Sequence, residues 1–162
     1  MQQTMMDTHG TYLDRAIAIA VRARQRGHGP FGALIVSVEG EVLAEAENLV
    51  QDEQDFTAHA EMVALREVGR RLGLDSLAGT TMYASGEPCA MCSGAILYFG
   101  VKRLVYGLSI PRQLELRRRH SLRRQIPCRA ILELGSDPVD VIGPMHEEVA
   151  EAPFIVSPQE AP

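Results

Sequence analysis

"HAEMVALREV" (residues 59–68) sets apolar residues at helical spacing: Ala64, Leu65, Val68 and, one turn on, Leu72. Glu61 heads that stripe, on the side such a helix turns toward a core. A buried carboxylate is costly unless something pairs with it, and a histidine lies two residues before it. The helix is expected to begin near Thr57 or Ala58 and to fade at Gly73. Upstream, "FGALIVSV" and "EVLAEAE" are short apolar runs joined through "EG", which predicts a hairpin. Ahead of them, residues 12–26 read as an amphipathic helix stopped by "GHGP", with Leu13, Ile17, Ala20 and Val21 on one side and Arg22, Arg24 and Arg26 near its end.

Downstream, "TTMYAS" predicts a strand, and "PCAMCSGAILYFG" a helix with Pro88 in its first turn. "RLVYGLS" is the next strand, a partly helical stretch runs to about Leu134, and "VDVIGP" is the last strand. Strands alternating with helices after an opening hairpin predict a layered α/β domain with a mixed sheet. Its expected extent is residues 10–153, with 1–9 and 154–162 as loosely ordered termini.

The chain of 162 residues suits one domain, and 46% apolar with 23% charged residues is a globular composition. No apolar run approaches a membrane span, and "MQQTMMDTHG" lacks the pattern of a signal peptide. Three cysteines, two of them in one CxxC, argue against a disulfide framework and for a reducing compartment, so a cytoplasmic location is expected. A net charge of −5 disfavours a general nucleic-acid binder. Yet "RQLELRRRHSLRRQ" (residues 112–125) holds six of the sixteen basic residues, opposed by Glu115 alone. It reads either as a solvated helix face or as a local phosphate-binding patch.

Cys89, Cys92, Ser93 and Ile96 fall at offsets that put both sulfurs on one helix face, in the first turn. That end of a helix favours thiolates, and two adjacent thiolates call for a cation, zinc being the usual one. His59, also at a helix start, is placed to be a third ligand if two helix N-termini meet over a sheet. Three ligands leave a tetrahedral zinc one open position, the pattern of a catalytic site. Glu61, two residues past His59, does not share its direction on a regular helix. It reads as a proton carrier beside the fourth position rather than as a ligand. Taken singly, each feature has a plainer reading: a capping histidine, a redox or structural CxxC, a glutamate favourable at a helix start. Together, "HAE" and "PCAMC", with 26 residues between Glu61 and Pro88, match the zinc-deaminase pattern H-x-E…P-C-x-x-C.

On "GPFGALIV", Asn48, "HAEMVALREV" and "SGEPCAMCSGAILYFGVKRLVYG" the sequence resembles the cytidine-deaminase-like superfamily. The nearer resemblance is to the branch holding bacterial guanine deaminases, yeast-type cytosine deaminases and tRNA adenosine deaminases. It covers roughly residues 12–109 and, more weakly, the last strand. The resemblance implies a three-layer α/β/α sandwich around a five-stranded mixed sheet. It implies one zinc per chain on His59, Cys89 and Cys92, with Glu61 as proton shuttle. Asn48 and the backbone N–H of Ala60 would hydrogen-bond the base, and a homodimer would form through the ligand-bearing helices and the exposed side of "AILYFG".

The implied reaction is hydrolytic removal of an exocyclic amine from an amidine-like base, releasing ammonia. "GPFGA" (residues 29–33) is similar to the nucleobase and nucleoside deaminases, which puts a guanine-like purine first, with cytosine and adenine behind it. A tRNA adenosine-to-inosine editing deaminase is the second reading, with the 112–124 cluster as its phosphate contact. A third, non-catalytic reading closes the zinc site with Cys128, His120 or His146. "IPRQLELRRRH" (residues 110–120) departs from each of these branches, in a segment that commonly lines the pocket. Phe31 is either a pocket wall or plain core, and Asn48 alone also reads as a turn residue. Cys128 is expected to be a small buried apolar side chain. In the tail, Phe154 is expected either to cover the substrate or to clip the C-terminus to the domain.

Overall fold

The computed structural model describes residues 2–117, 126–134 and 136–158, with side chains from residue 8 onward. β1 (Gly32–Val36) and β2 (Val42–Glu47) form the expected antiparallel hairpin, with Ala33 opposite Ala46 and Ile35 opposite Ala44. β3 (Thr81–Gly86) pairs antiparallel with the other side of β1. β4 (Arg103–Leu108) runs parallel to β3, and β5 (Asp140–Ile142) parallel to β4. The order is β2-β1-β3-β4-β5.

Alternate residues of a strand face opposite sides of the sheet, and here both sides are covered. Leu34, Val36, Tyr83 and Val105 pack with Leu13, Ala16 and Ile17 of α1 (Gln2–Gln25). Ile35, Met82, Ala84, Leu104 and Tyr106 pack with Ala64, Leu65 and Val68 of α2 (Ala60–Leu72) and with Ile96 of α3 (Ala90–Tyr98). This burial on two faces explains why "GALIV" is apolar throughout rather than alternating. The result is the three-layer sandwich around a five-stranded mixed sheet.

Three boundaries differ from the sequence reading. α1 begins at Gln2, well ahead of Tyr12. Leu13, Ala16, Ile17 and Ile19, in its later turns, carry the apolar stripe that packs on the sheet. α3 begins after Cys89, whose backbone is extended at φ −69° and ψ 171°, so Pro88 precedes the helix instead of sitting in its first turn. The C-terminal segment forms two short helices, α6 (Glu147–Ala150) and α7 (Ala152–Ile155), following α4 (Ile110–Leu116) and α5 (Arg129–Leu132), and α7 packs on α1. Leu72, in the last turn of α2, is half exposed and lies outside the stripe that Ala64, Leu65 and Val68 form. No helix among the described residues is long and apolar enough to cross a membrane.

Candidate active site

α2 and α3 start beside each other on one face of the sheet, and each start carries part of the site. His59 is the residue before α2, with Glu61 in the first turn; Cys89 is the residue before α3, with Cys92 in the first turn. The sulfurs of Cys89 and Cys92 lie 3.7 Å apart, and His59 Nδ1 lies 3.6 Å from the first and 3.5 Å from the second. Zn–S bonds of about 2.3 Å and a Zn–N bond of about 2.0–2.1 Å at tetrahedral angles put donor atoms about 3.6–3.8 Å apart. The triangle therefore fits one zinc ion, and no other grouping of three such side chains occurs among the described residues.

The electrostatics also call for a cation. The Cys92 and His59 side chains hold the Cys89 thiol down at about 4, against its burial. Cys92 is pushed far up by the hydrogen bond to Cys89, by burial and by Glu61. Burial pushes the Glu61 carboxyl up as well, and its Oε2 sits 3.6 Å from Cys92 Sγ. Three acidic groups thus converge where water is excluded, and a divalent ion relieves their mutual repulsion. Glu61 stands beside the ligand triangle without being part of it.

Two of the three side chains expected as closing ligands, Cys128 and His146, lie apart from the triangle. Cys128 is fully buried; its backbone N–H donates to Glu87 Oε1 at 2.8 Å, and burial together with Glu87 pushes its thiol up to about 12. His146 pairs with Asp14 at 2.9 Å, and His120 lies outside the described residues. Cys128→Ala is expected to keep full zinc content and to cost about 1 kcal/mol in stability for the lost packing. Collapse of zinc binding, measured by metal analysis, would make the site a closed structural one.

A cleft of about 330 Å³ opens onto His59, Glu61 and Cys89. Phe31 and Asn48 are among the residues that line it. Asn48 Oδ1 accepts the Val50 N–H at 3.3 Å, the bond of a turn residue, while the side chain also lines the cleft. A Cβ on Gly29 would stand 3.0 Å from the Asn48 amide, so a larger residue there would press on that side chain. Ala60 is fully buried and its side chain does not line the cleft. What it offers is a backbone N–H at a helix start, one of the donors a helix leaves unpaired.

Sequence reasoning missed Glu87, Gln113 and Arg117, all in the cleft wall. The buried Glu87 carboxylate accepts the N–H of Ile110 at 2.9 Å as well as that of Cys128, and so fastens the divergent segment as α4 along the cleft. No periodicity or spacing in the sequence marks these roles, since the partners of Glu87 lie 23 and 41 residues away. Arg117 lies 5.5 Å from the Phe31 ring centre, as a cation over its face. Arg112 pairs with Glu151 at 2.7 Å and with Glu115 at 2.9 Å. The remaining arginines of the basic cluster, within 118–125, lie outside the described residues.

The family described as "Cytidine and deoxycytidylate deaminase zinc-binding region" matches residues 6–108. The chain belongs to this family of zinc-dependent hydrolytic deaminases. Among relatives of this deaminase, the "Probable cytosine deaminase" of Schizosaccharomyces pombe is 39% identical over 145 residues, 88% of this chain and 87% of that one. The solved guanine deaminase of Bacillus subtilis superposes with a TM-score of 0.63 at 35% identity, over 74% of this chain and 82% of that one. A structure from a study of tRNA:A34 deaminases gives a TM-score of 0.72 at 28% identity, over 89% of this chain and 99% of that one. The deaminase spans 62% of the length of the tRNA-specific adenosine deaminases it matches in Bacillus subtilis and Aquifex aeolicus.

Proposed function

We propose that this deaminase, through a catalytic unit at residues 10–153, removes the exocyclic amine of a small nucleobase or nucleoside, guanine or cytosine foremost. The cleft carries this reading: at about 330 Å³ it is at the small end of ligand pockets, with the metal triangle and Glu61 at its floor. His59, Cys89 and Cys92 would hold a zinc ion, which would supply a nucleophilic water near neutral pH. Phe31 supplies an aromatic wall for the flat base, while the Asn48 amide and the Ala60 N–H hold its edge. Glu61 takes the proton of the attacking water and gives it to the ring nitrogen next to the reacting carbon. It then carries the remaining proton of the added hydroxyl to the departing amine, as that oxygen becomes the carbonyl. Ammonia leaves, and a carbonyl stands where the amine was. The relative matched along most of both chains is named for cytosine, which sets that base beside guanine.

The test is ammonia release by the zinc-loaded chain from a panel of guanine, cytosine, adenine and their nucleosides. Release from at least one supports the reading, and release from none overturns it. Editing of tRNA would instead show binding that falls steeply with salt. Against it, Arg112 is engaged with two glutamates and Arg117 with Phe31.

Two further expectations attach to this reading. Phe154 meets Phe31 edge-on at 5.6 Å but does not line the cleft, which favours the clip over the lid. Deleting residues from 152 onward is expected to cost about 1–2 kcal/mol of apolar burial, a fall in Tm of roughly 2–8 °C, with KM changed less than about twofold. A raised KM at unchanged Tm would assign Phe154 to the substrate. The deaminase is also expected to dimerise through α2 and α3. An apolar cleft of about 480 Å³ runs along α2 between Met62, Val63, Leu74 and Phe99, beside the exposed Tyr98. Sedimentation as a monomer at micromolar concentration would contradict this.

A further inference from the structure

We propose that Gln113 is a specificity-determining residue, whose Oε1 accepts a hydrogen bond from a ring N–H of the substrate, so that the cleft selects a free base over one substituted at that nitrogen. This rests on the reading of the site as a nucleobase deaminase. Gln113 is only 8% exposed, yet it lines the cleft. Its Nε2 donates to Leu108 O at 2.8 Å and to Glu87 O at 3.2 Å. Two carbonyls at one end of the amide identify that end as the nitrogen and lock the side chain in place. The end that remains, Oε1, accepts no bond among the described residues. Among the described residues His28 Nδ1 is the one enclosed side-chain polar atom without a partner, so Oε1 is not enclosed in protein. Oε1 is therefore an acceptor that opens on the cleft.

The surroundings are built to hold this arrangement. A Cβ on Gly86 would stand 2.7 Å from Gln113 Nε2 and 3.4 Å from Phe31 Cε1, so the glycine admits both cleft side chains at once. Glu87 fixes the start of α4 through the Ile110 N–H. The acceptor is thus oriented before any ligand arrives, which lowers the ordering cost of using it.

Two amides with opposite polarity then face the cleft. Asn48 has its oxygen bonded to Val50 and presents its NH₂, a donor; Gln113 has its NH₂ bonded to the backbone and presents its oxygen, an acceptor. A base edge with a carbonyl or ring-nitrogen acceptor and an N–H satisfies both. Guanine, cytosine and adenine each carry such an N–H at the glycosidic nitrogen, and a nucleoside does not. A nucleoside would leave Oε1 stripped of water and unpaired, the costly arrangement for a buried polar atom.

The experiment measures binding by calorimetry to zinc-loaded Glu61→Gln protein, in which turnover is blocked. The probes are guanine and cytosine, each against the analogue methylated at its glycosidic nitrogen. The analogue keeps every other donor and acceptor and replaces that N–H alone. It is expected to bind about 10- to 100-fold more weakly than the parent base. Adding Gln113→Met should shrink that ratio to within about threefold. Because the ratio is internal to one sample, partial unfolding of the variant cancels. If the variant does not fold, the ratio in Glu61→Gln alone still decides. Parent and analogue binding equally, neither base binding, or a ratio that survives Gln113→Met would each overturn the assignment. Selective binding without ammonia release by the wild-type chain would sink the deaminase reading and leave Gln113 standing. Ammonia release with indifference to the N–H would do the reverse.

Discussion

Glu61→Gln is expected to keep its zinc and its fold and to lose turnover by roughly 10²–10⁴-fold or more. Glu61 lies outside the triangle formed by His59, Cys89 and Cys92, so replacing it removes no metal donor. Glutamine has nearly the same shape, and its amide neither takes up nor releases a proton near neutral pH. The position is buried at the first turn of α2, packed against Cys92, so an isosteric neutral side chain leaves no cavity. One carboxylate serves the attacking water, the ring nitrogen and the leaving amine in turn, and a single substitution disables all three transfers. The check has three readouts on one preparation: metal content, thermal melting and ammonia release. Full zinc, an unchanged melt and near-normal ammonia release would refute the proton-carrying role. Loss of zinc along with activity would instead make Glu61 a ligand.

The metal triangle was legible because its parts are local patterns that survive without a fold. H-x-E places one ligand and one carboxylate around a single helix start, and C-x-x-C places two sulfurs at another. The strand between them made the meeting of the two starts expected. The alternation of strands and helices likewise set the layering before any pairing was known. Glu87 and Gln113 were not legible, for a physical reason. Glu87 acts on backbone groups 23 and 41 residues away, those of Ile110 and Cys128. Gln113 matters because two carbonyls, at Glu87 and Leu108, decide which end of its amide is free. Neither role has a periodicity or a spacing; both exist only once β3, β4 and α4 are in place. The early start of α1 was hidden because "MQQTMMDTHG" shows no apolar stripe at helical spacing to read.

Cys92→Ala is expected to lose zinc and, with it, most of the zinc-dependent stability. Two donors, His59 and Cys89, remain, one fewer than a catalytic zinc site ordinarily keeps from the protein. A metal that binds the folded chain stabilises it by mass action, about 4 kcal/mol at a thousand times its dissociation constant. For a chain of this size that is roughly 8–16 °C in Tm. Wild-type protein should therefore melt much higher with zinc than after chelation, while Cys92→Ala should melt alike under both conditions. Between the two chelated proteins the gap should be small. The variant gives up the packing of a fully buried sulfur. It also removes one member of the crowded set in which Cys89, burial and Glu61 press upward on the Cys92 thiol. These effects oppose each other, which separates loss of metal from plain core damage: damage alone would lower both melts equally. A zinc-dependent rise in Cys92→Ala as large as in the wild type, or one zinc per chain retained by metal analysis, would remove Cys92 from the ligand set.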